Sequence, residues 1–300
     1  MLKDYILLID KPAYMTSQDC LTILKRKLKV KKIGHTGTLD PIATGLMVVL
    51  VNEATKLSNF ILNANKTYFA TMQLFIRTDT DDISGKVLET RAPFVISQES
   101  LNRVFNFYDN SEYEQVVPLY SAVKKDGLKL YQYARQNKPV ELPKRLVTIK
   151  RLRIVSVKEN LIQFQLTCSK GTYVRSLIRD IAQDLKTIGT MVALRRVEQG
   201  DFRIQDAILL DDIVDEKSIK NKMIPIVKGL KNSLKIVTIS NKNMITKIKN
   251  GQEINLPDLE IKKEILLVNN NKQPLAIYAN SKGTTYISKK GFNIDESDKN

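Results

Sequence analysis

Two stretches of strictly alternating apolar residues do most to constrain how this 300-residue chain can fold. In residues 67–76, Tyr68, Ala70, Met72, Leu74 and Ile76 fall on one face, and Thr67, Phe69, Thr71, Gln73 and Phe75 on the other. Ile162, Phe164, Leu166 and Cys168 repeat the pattern. A period of two marks a strand with one covered face, so each stretch demands a sheet with a layer packed on one side. After the turn Ser169-Lys170-Gly171-Thr172 the period changes, and from Tyr173 or Val174 onward Leu177, Ile178, Ile181 and Leu185 recur at helical spacing. Residues 5–9 and 46–51 read as buried strands, the first ended by Asp10-Lys11-Pro12, because proline disfavours helix in the residue before it. A strand over 146–157 and a helix over 128–135 follow without strict strand–helix alternation, which predicts an α+β fold around a large mixed sheet.

Thr16 or Ser17 can cap a helix in which Cys20, Leu21, Leu24 and Leu28 form the apolar stripe and Lys25, Arg26, Lys27 and Lys29 lie elsewhere. Residues 31–45, with glycines at 34, 37 and 45, show neither period and read as a structured loop. Beyond about residue 215 the chain turns rich in Lys, Asn and Ile, and strand candidates at 234–239, 264–268, 275–278 and 284–288 predict a small, mostly β second domain. Residues 295–300 read as a frayed tail.

The 48 Lys and Arg against 32 Asp and Glu leave a net charge of +16. Such an excess fits nucleic-acid binding, an acidic membrane surface or a lysine-rich solubilising surface. With only Cys20, Cys168 and a single histidine, His35, a disulfide framework, a four-cysteine zinc site and a two-histidine zinc site are excluded. The opening apolar run is too brief for a signal-peptide core, and 46–51 is far short of the roughly 20 residues that span a bilayer, so a cytoplasmic protein is expected.

Within the 34–45 loop one carboxylate, Asp40, stands among small residues that let a ligand approach the backbone, which makes it the candidate nucleophile. An Asx-turn before Pro41 is the alternative. An ionised carboxylate in a dry site needs a cation, and Arg175, at a strand-to-helix turn, can supply one unless it is an ordinary surface arginine. Tyr68 and Tyr173 can stack on a nucleobase or fill the core. Asp79, Asp81 and Asp82 read as a solvated turn rather than a Mg²⁺ site, and no Gly-Lys-Ser or Gly-Lys-Thr phosphate loop is present.

Together these segments resemble the TruB-type tRNA pseudouridine synthases. The resemblance rests on Asp10-Lys11-Pro12 with Thr16-Ser17, on Gly34 to Gly45 followed by Ala54-Thr55-Lys56, on Lys66-Thr67-Tyr68 and on Thr78-Asp79-Thr80-Asp81. It continues through Pro118 to Lys124 with Gly127, Tyr131 and Ala134-Arg135, then Cys168 to Ser176 and Leu194-Arg195-Arg196. Two departures stand out: Ala13-Tyr14-Met15 where the family usually has a glycine, and Val117-Pro118 in place of a proline pair.

The resemblance implies an isomerase that converts uridine 55 in the T loop of tRNA to pseudouridine by base flipping and a covalent aspartate adduct, without cofactor or metal. It implies a catalytic domain (1–225) around a large mixed, mainly antiparallel sheet, a small PUA-like RNA-binding domain (230–293) and a tail (294–300). By the same resemblance Asp40 is the nucleophile, Arg175 its partner, Tyr68 the residue that stacks on the flipped uracil and Tyr173 a second aromatic that assists proton removal. Leu194 is a pocket wall, and His35 enters the space the base leaves. The T arm of tRNA is the expected partner, with the basic run 25–32 set to neutralise phosphates, and a monomer that does not bind membranes is expected. The rivals are a non-catalytic tRNA-binding or RNA-folding protein and a carboxylate glycosidase or Mg²⁺ nuclease.

Overall fold

The computed structural model describes residues 2–257 and 259–293; the tail expected over 294–300 lies outside them. The main sheet is mixed and mainly antiparallel, with central order Tyr5–Lys11, Thr44–Val51, Gly189–Gln199, Lys66–Leu74, Leu161–Cys168, Lys144–Lys158 and Ser111–Val116. Along this run only Gly189–Gln199 against Thr44–Val51 is parallel. A second, five-stranded sheet carries Lys235–Thr238, Glu264–Val268, Pro274–Lys282, Thr285–Gly291 and Ile254–Asn255, so the C-terminal part is β-rich. No helix among the described residues is long and apolar enough to cross a membrane.

Which faces are covered explains the two strand patterns. Tyr68, Ala70, Met72 and Leu74 pack under the helix Val174–Asp184, whose Leu177, Ile178 and Ile181 join the same core, while Phe69 on the opposite face is exposed. The strands near the N-terminus are covered twice. Tyr5, Leu7, Ile9, Met47 and Val49 face the helix Ser17–Leu28, and Ile6, Leu8, Leu46, Val48 and Leu50 face Leu266, Val268, Ile277 and Phe292 of the C-terminal part. A strand with both faces buried has no reason to alternate.

The helix Ser17–Leu28 starts where its capping residues require: Asp19 N–H donates to Thr16 Oγ1 (3.0 Å) and Thr16 N–H to Asp19 Oδ2 (3.1 Å). Three expectations are corrected. The loop 31–45 contains a short strand, Ile33–His35, paired with Val49–Val51 through its backbone. The strand expected to run to residue 76 stops at Leu74, because Phe75 takes φ 68° and Ile76–Thr78 pairs instead with Val87–Thr90. The helix expected from 128 begins at Leu130, since Leu128–Lys129 is paired with Lys124–Lys125. The C-terminal part, β-rich as expected, also holds a helix, Lys242–Lys249, whose Ile248 is buried with Met244 and Ile245 packed against the same core. Of the two family departures, Tyr14 takes φ 60°, where glycine is favoured, and Val117 donates its N–H to Pro143 O (3.0 Å), a bond proline cannot make.

The parallel contact is the tightest backbone approach near the site. Gly45 has φ +102°, and a Cβ there would lie 2.3 Å from Arg196 O. Gly45→Ala is therefore expected to destabilise the protein by about 3 kcal/mol, read as a lower urea midpoint at unchanged m-value. A midpoint equal to wild type would show that the crossing can open without cost.

Candidate active site

The loop after His35 is held at nearly every residue. Thr36 N–H donates to Val48 O (3.1 Å), and Gln199 Nε2 to both Thr36 O and Thr36 Oγ1 (2.8 Å each). Arg196 Nη2 donates to Gly37 O (3.0 Å), and Leu39 N–H to Ser17 Oγ (2.9 Å). The buried ammonium of Lys11 donates to Pro12 O, Met15 O and Pro41 O, which ties the Asp-Lys-Pro turn to the residue after Asp40. Asp40 closes the following turn with its backbone carbonyl, which accepts from Ala43 N–H (3.0 Å), so its carboxylate is left for other work.

That carboxylate meets Arg175 in a two-point pair: Nε donates to Oδ2 at 2.9 Å and Nη2 to Oδ1 at 3.0 Å. Arg175 is no surface arginine; its side chain is 6% exposed, and it also donates to Thr80 O (2.9 Å) and Tyr120 O (3.1 Å). Asp40 remains 30% exposed, open to a cavity of about 630 Å³. Burying an ion pair is seldom a net gain in stability, so a fully hydrogen-bonded pair with one open carboxylate edge is better explained by chemistry than by folding.

Tyr68, Tyr173, Leu194, Asp40 and Arg175 all line this cavity. Tyr68 is buried, and burial pushes its phenol up to about 12 while Arg196 opposes the shift. Tyr173 is half-buried and caps the helix that carries Arg175, its N–H donating to Gln115 Oε1 (2.7 Å). His35 is not brought to the cavity. Its Nδ1 accepts from Gly37 N–H (3.2 Å), and burial, aided by Arg196, lowers its pKa, so it stands as a neutral acceptor bracing the loop.

The solvated turn expected at 79–82 is also corrected. Asp82 is buried, accepts from Thr80 Oγ1 (2.9 Å) and Ser84 N–H (3.0 Å), and lies 3.9 Å from Arg175. Asp81 pairs with Arg179 at 3.1 Å, its pKa nonetheless raised by burial, and Asp79 accepts from Lys86 N–H (2.8 Å). These carboxylates point to separate partners, and no group of three metal-ligating side chains occurs among the described residues.

Sequence reasoning singled out neither Lys66 nor Arg196 as site residues, yet both line the cavity, 8% and 1% exposed. Burial and the nearby Arg196 push Lys66 down to about 8. A signal existed: each lies two residues from an expected site residue on the same strand, Lys66 from Tyr68 and Arg196 from Leu194, and so shares its face.

Residues 25–174 match the family model described as TruB family pseudouridylate synthase (N terminal domain), and residues 175–230 that of the tRNA pseudouridylate synthase B C-terminal domain. The Asp40–Arg175 pair thus joins the two matched segments. The chain is 40% identical to tRNA pseudouridine synthase B of Mesoplasma florum over 97% of this chain and 99% of that protein. It is 39% identical to the protein of the same name in Mycoplasma capricolum, covering 97% and 98%. Among solved structures, a Cbf5-Nop10-Gar1 complex matches with TM-score 0.74 and 21% identity over 96% of this chain and 85% of that one. An H/ACA ribonucleoprotein bound to a substrate RNA containing 2′-deoxyuridine matches with TM-score 0.73 and 20% identity, covering 97% and 86%, a likeness of fold. With two family models side by side over residues 25–230 and relatives near 40% identity along almost the whole length, the chain belongs to the TruB family of pseudouridylate synthases.

Proposed function

We propose that this protein is a tRNA pseudouridine synthase that isomerises uridine 55 of the T loop, with Asp40 as the nucleophile that forms a transient adduct with the target nucleotide. The observation that carries the reading is the two-point Asp40–Arg175 pair at one wall of a cavity shared with Tyr68, Tyr173 and Leu194. Arg175 pairs with both carboxylate oxygens and aims them, and the aromatic and apolar walls receive a base taken out of the stack, offsetting an unstacking cost of a few kcal/mol. The base then detaches from C1′, turns and rejoins through C5. This exchange is redox-neutral and transfers no group to or from a second molecule, so the mechanism uses no cofactor.

The names of the relatives support tRNA as the substrate. In this reading the catalytic unit spans 1–225, a PUA-like RNA-binding unit spans 230–293, and the protein acts as a monomer. The basic run 25–32 neutralises phosphates of the T arm, and His35 meets the RNA outside the cavity. The test is tritium release from C5-labelled uridine in an unmodified tRNA transcript with EDTA present. One equivalent per tRNA is expected, and none when uridine 55 is replaced by cytidine. Release that persists with the cytidine substrate would move the target elsewhere, and tight tRNA binding without any release would favour a non-catalytic RNA-binding protein.

A further inference from the structure

We propose that Lys66 and Arg196 form a cationic wall that holds the negative charge of the detached base; the inference rests on the isomerase reading above. When the C1′–N1 bond breaks, its electron pair stays with the base and spreads over N1 and the ring carbonyl oxygens. C1′ meanwhile bonds to Asp40; C5 of the turned base then attacks C1′, the Asp40 carboxylate leaves with the bonding pair and takes back the negative charge, and loss of the C5 proton with protonation of N1 completes the product. Charge that exists only between those two bonds is best met by fixed donors in a dry site, where they need no reorganisation.

The cavity's cations divide by what they already do. Arg175 is committed to Asp40 and two backbone carbonyls. Arg196 is anchored by Nε to Leu46 O (2.6 Å) and by Nη2 to Gly37 O (3.0 Å), while its guanidinium lies near the Tyr68 hydroxyl and its buried Nη1 makes no hydrogen bond of good geometry among the described residues. A buried guanidinium nitrogen without an acceptor is costly unless an acceptor arrives during function. Lys66 donates to Leu62 O and Ala64 O (2.9 Å each), two of the three donors an ammonium has. Gly37 brings the two cations together: a Cβ there would lie 3.2 Å from Arg196 Nη1 and 3.4 Å from Lys66 Cε. Both cations share the cavity with Tyr68, whose ring is the surface offered to the base.

The charged and titratable groups around Lys66 are Arg196 on Gly189–Gln199, Cys168 and Lys170 at the end of Leu161–Cys168, Tyr68 on its own strand, and Asp40 and Arg175 in the same cavity. Cys168 is pushed up to about 11 and Tyr68 to about 12, both by burial, whereas Lys66 is pushed down to about 8. Lys66 therefore loses its proton as pH rises through about 8, and the wall loses half its charge.

The experiment is single-turnover pseudouridine formation on saturating enzyme from pH 6 to 9.5, with tRNA Kd measured in parallel. In wild type the rate is expected to fall on the alkaline side with a midpoint near 8. Lys66→Met is expected to lose about 10²-fold in rate at pH 7, with Kd within about twofold and no alkaline fall. Lys66→Arg, always charged, restores much of the rate and also removes the fall. A wild-type rate flat to pH 9.5, or an alkaline fall that survives in Lys66→Met, overturns the proposal. A weakened Kd at unchanged rate overturns it in favour of a phosphate clamp. A wild type inactive at every pH overturns the proposed function itself, and this inference with it.

Discussion

Asp40→Asn is expected to abolish isomerisation, with a loss of at least about 10⁴-fold in single-turnover rate, or roughly 5.5 kcal/mol of transition-state stabilisation. The amide is nearly isosteric and keeps one oxygen to accept from Arg175, but it is not a nucleophile. Arg175 would still donate to Thr80 O and Tyr120 O and would keep Asp82 at 3.9 Å, so the buried cation is not left alone. The fold should therefore survive, with stability within about 2 kcal/mol of wild type. Tritium release measured beside thermal unfolding and tRNA binding separates the two effects. A residual rate within a hundredfold of wild type would remove Asp40 from the role of nucleophile.

Arg175→Ala should injure both catalysis and folding. Its removal leaves the Asp40 carboxylate without its cation and strips a donor from Thr80 O and Tyr120 O. Losing one member of a largely buried pair costs about 3–5 kcal/mol, and a rate loss of about 10³-fold or more is expected because the carboxylate is no longer aimed. Arg175→Lys separates charge from geometry: an ammonium keeps the charge but cannot bond both carboxylate oxygens and two backbone carbonyls in one plane. That variant should fold better than the alanine variant yet stay at least about 10²-fold slower than wild type. A lysine variant within tenfold of wild type would mean that charge alone suffices.

Much of this architecture is legible in the chain because it is local. The alternation from Tyr68 to Leu74, the helical stripe through Leu177, Ile178 and Ile181 and the cap at Thr16 each depend on residues within a few positions. The C-terminal strand Glu264–Val268 was readable for the same reason. Reading failed where a distant segment overrode the local signal. Asp82 belongs to a polar run that resembles a solvated turn, and it is buried because Arg175 and the helix behind it lie against that turn. Lys66 and Arg196 share a strand face with Tyr68 and Leu194, a local signal that their charge masked, and only the packing around the cavity buries them.

What the sequence determined by itself was the set of elements and the residue types each presents: a carboxylate in a glycine-rich loop, an arginine at a helix start, and aromatics on the same face as the apolar stripe. Only the tertiary structure decided which of these meet. The Asp40–Arg175 pair spans 135 positions and exists because the loop and the helix are both fastened to neighbouring strands of one sheet. Tertiary contact likewise decided that His35 braces the loop while Lys66 and Arg196 line the cavity. Burial and charge proximity are sums over all neighbours in space, and the chain order lists only those along the backbone.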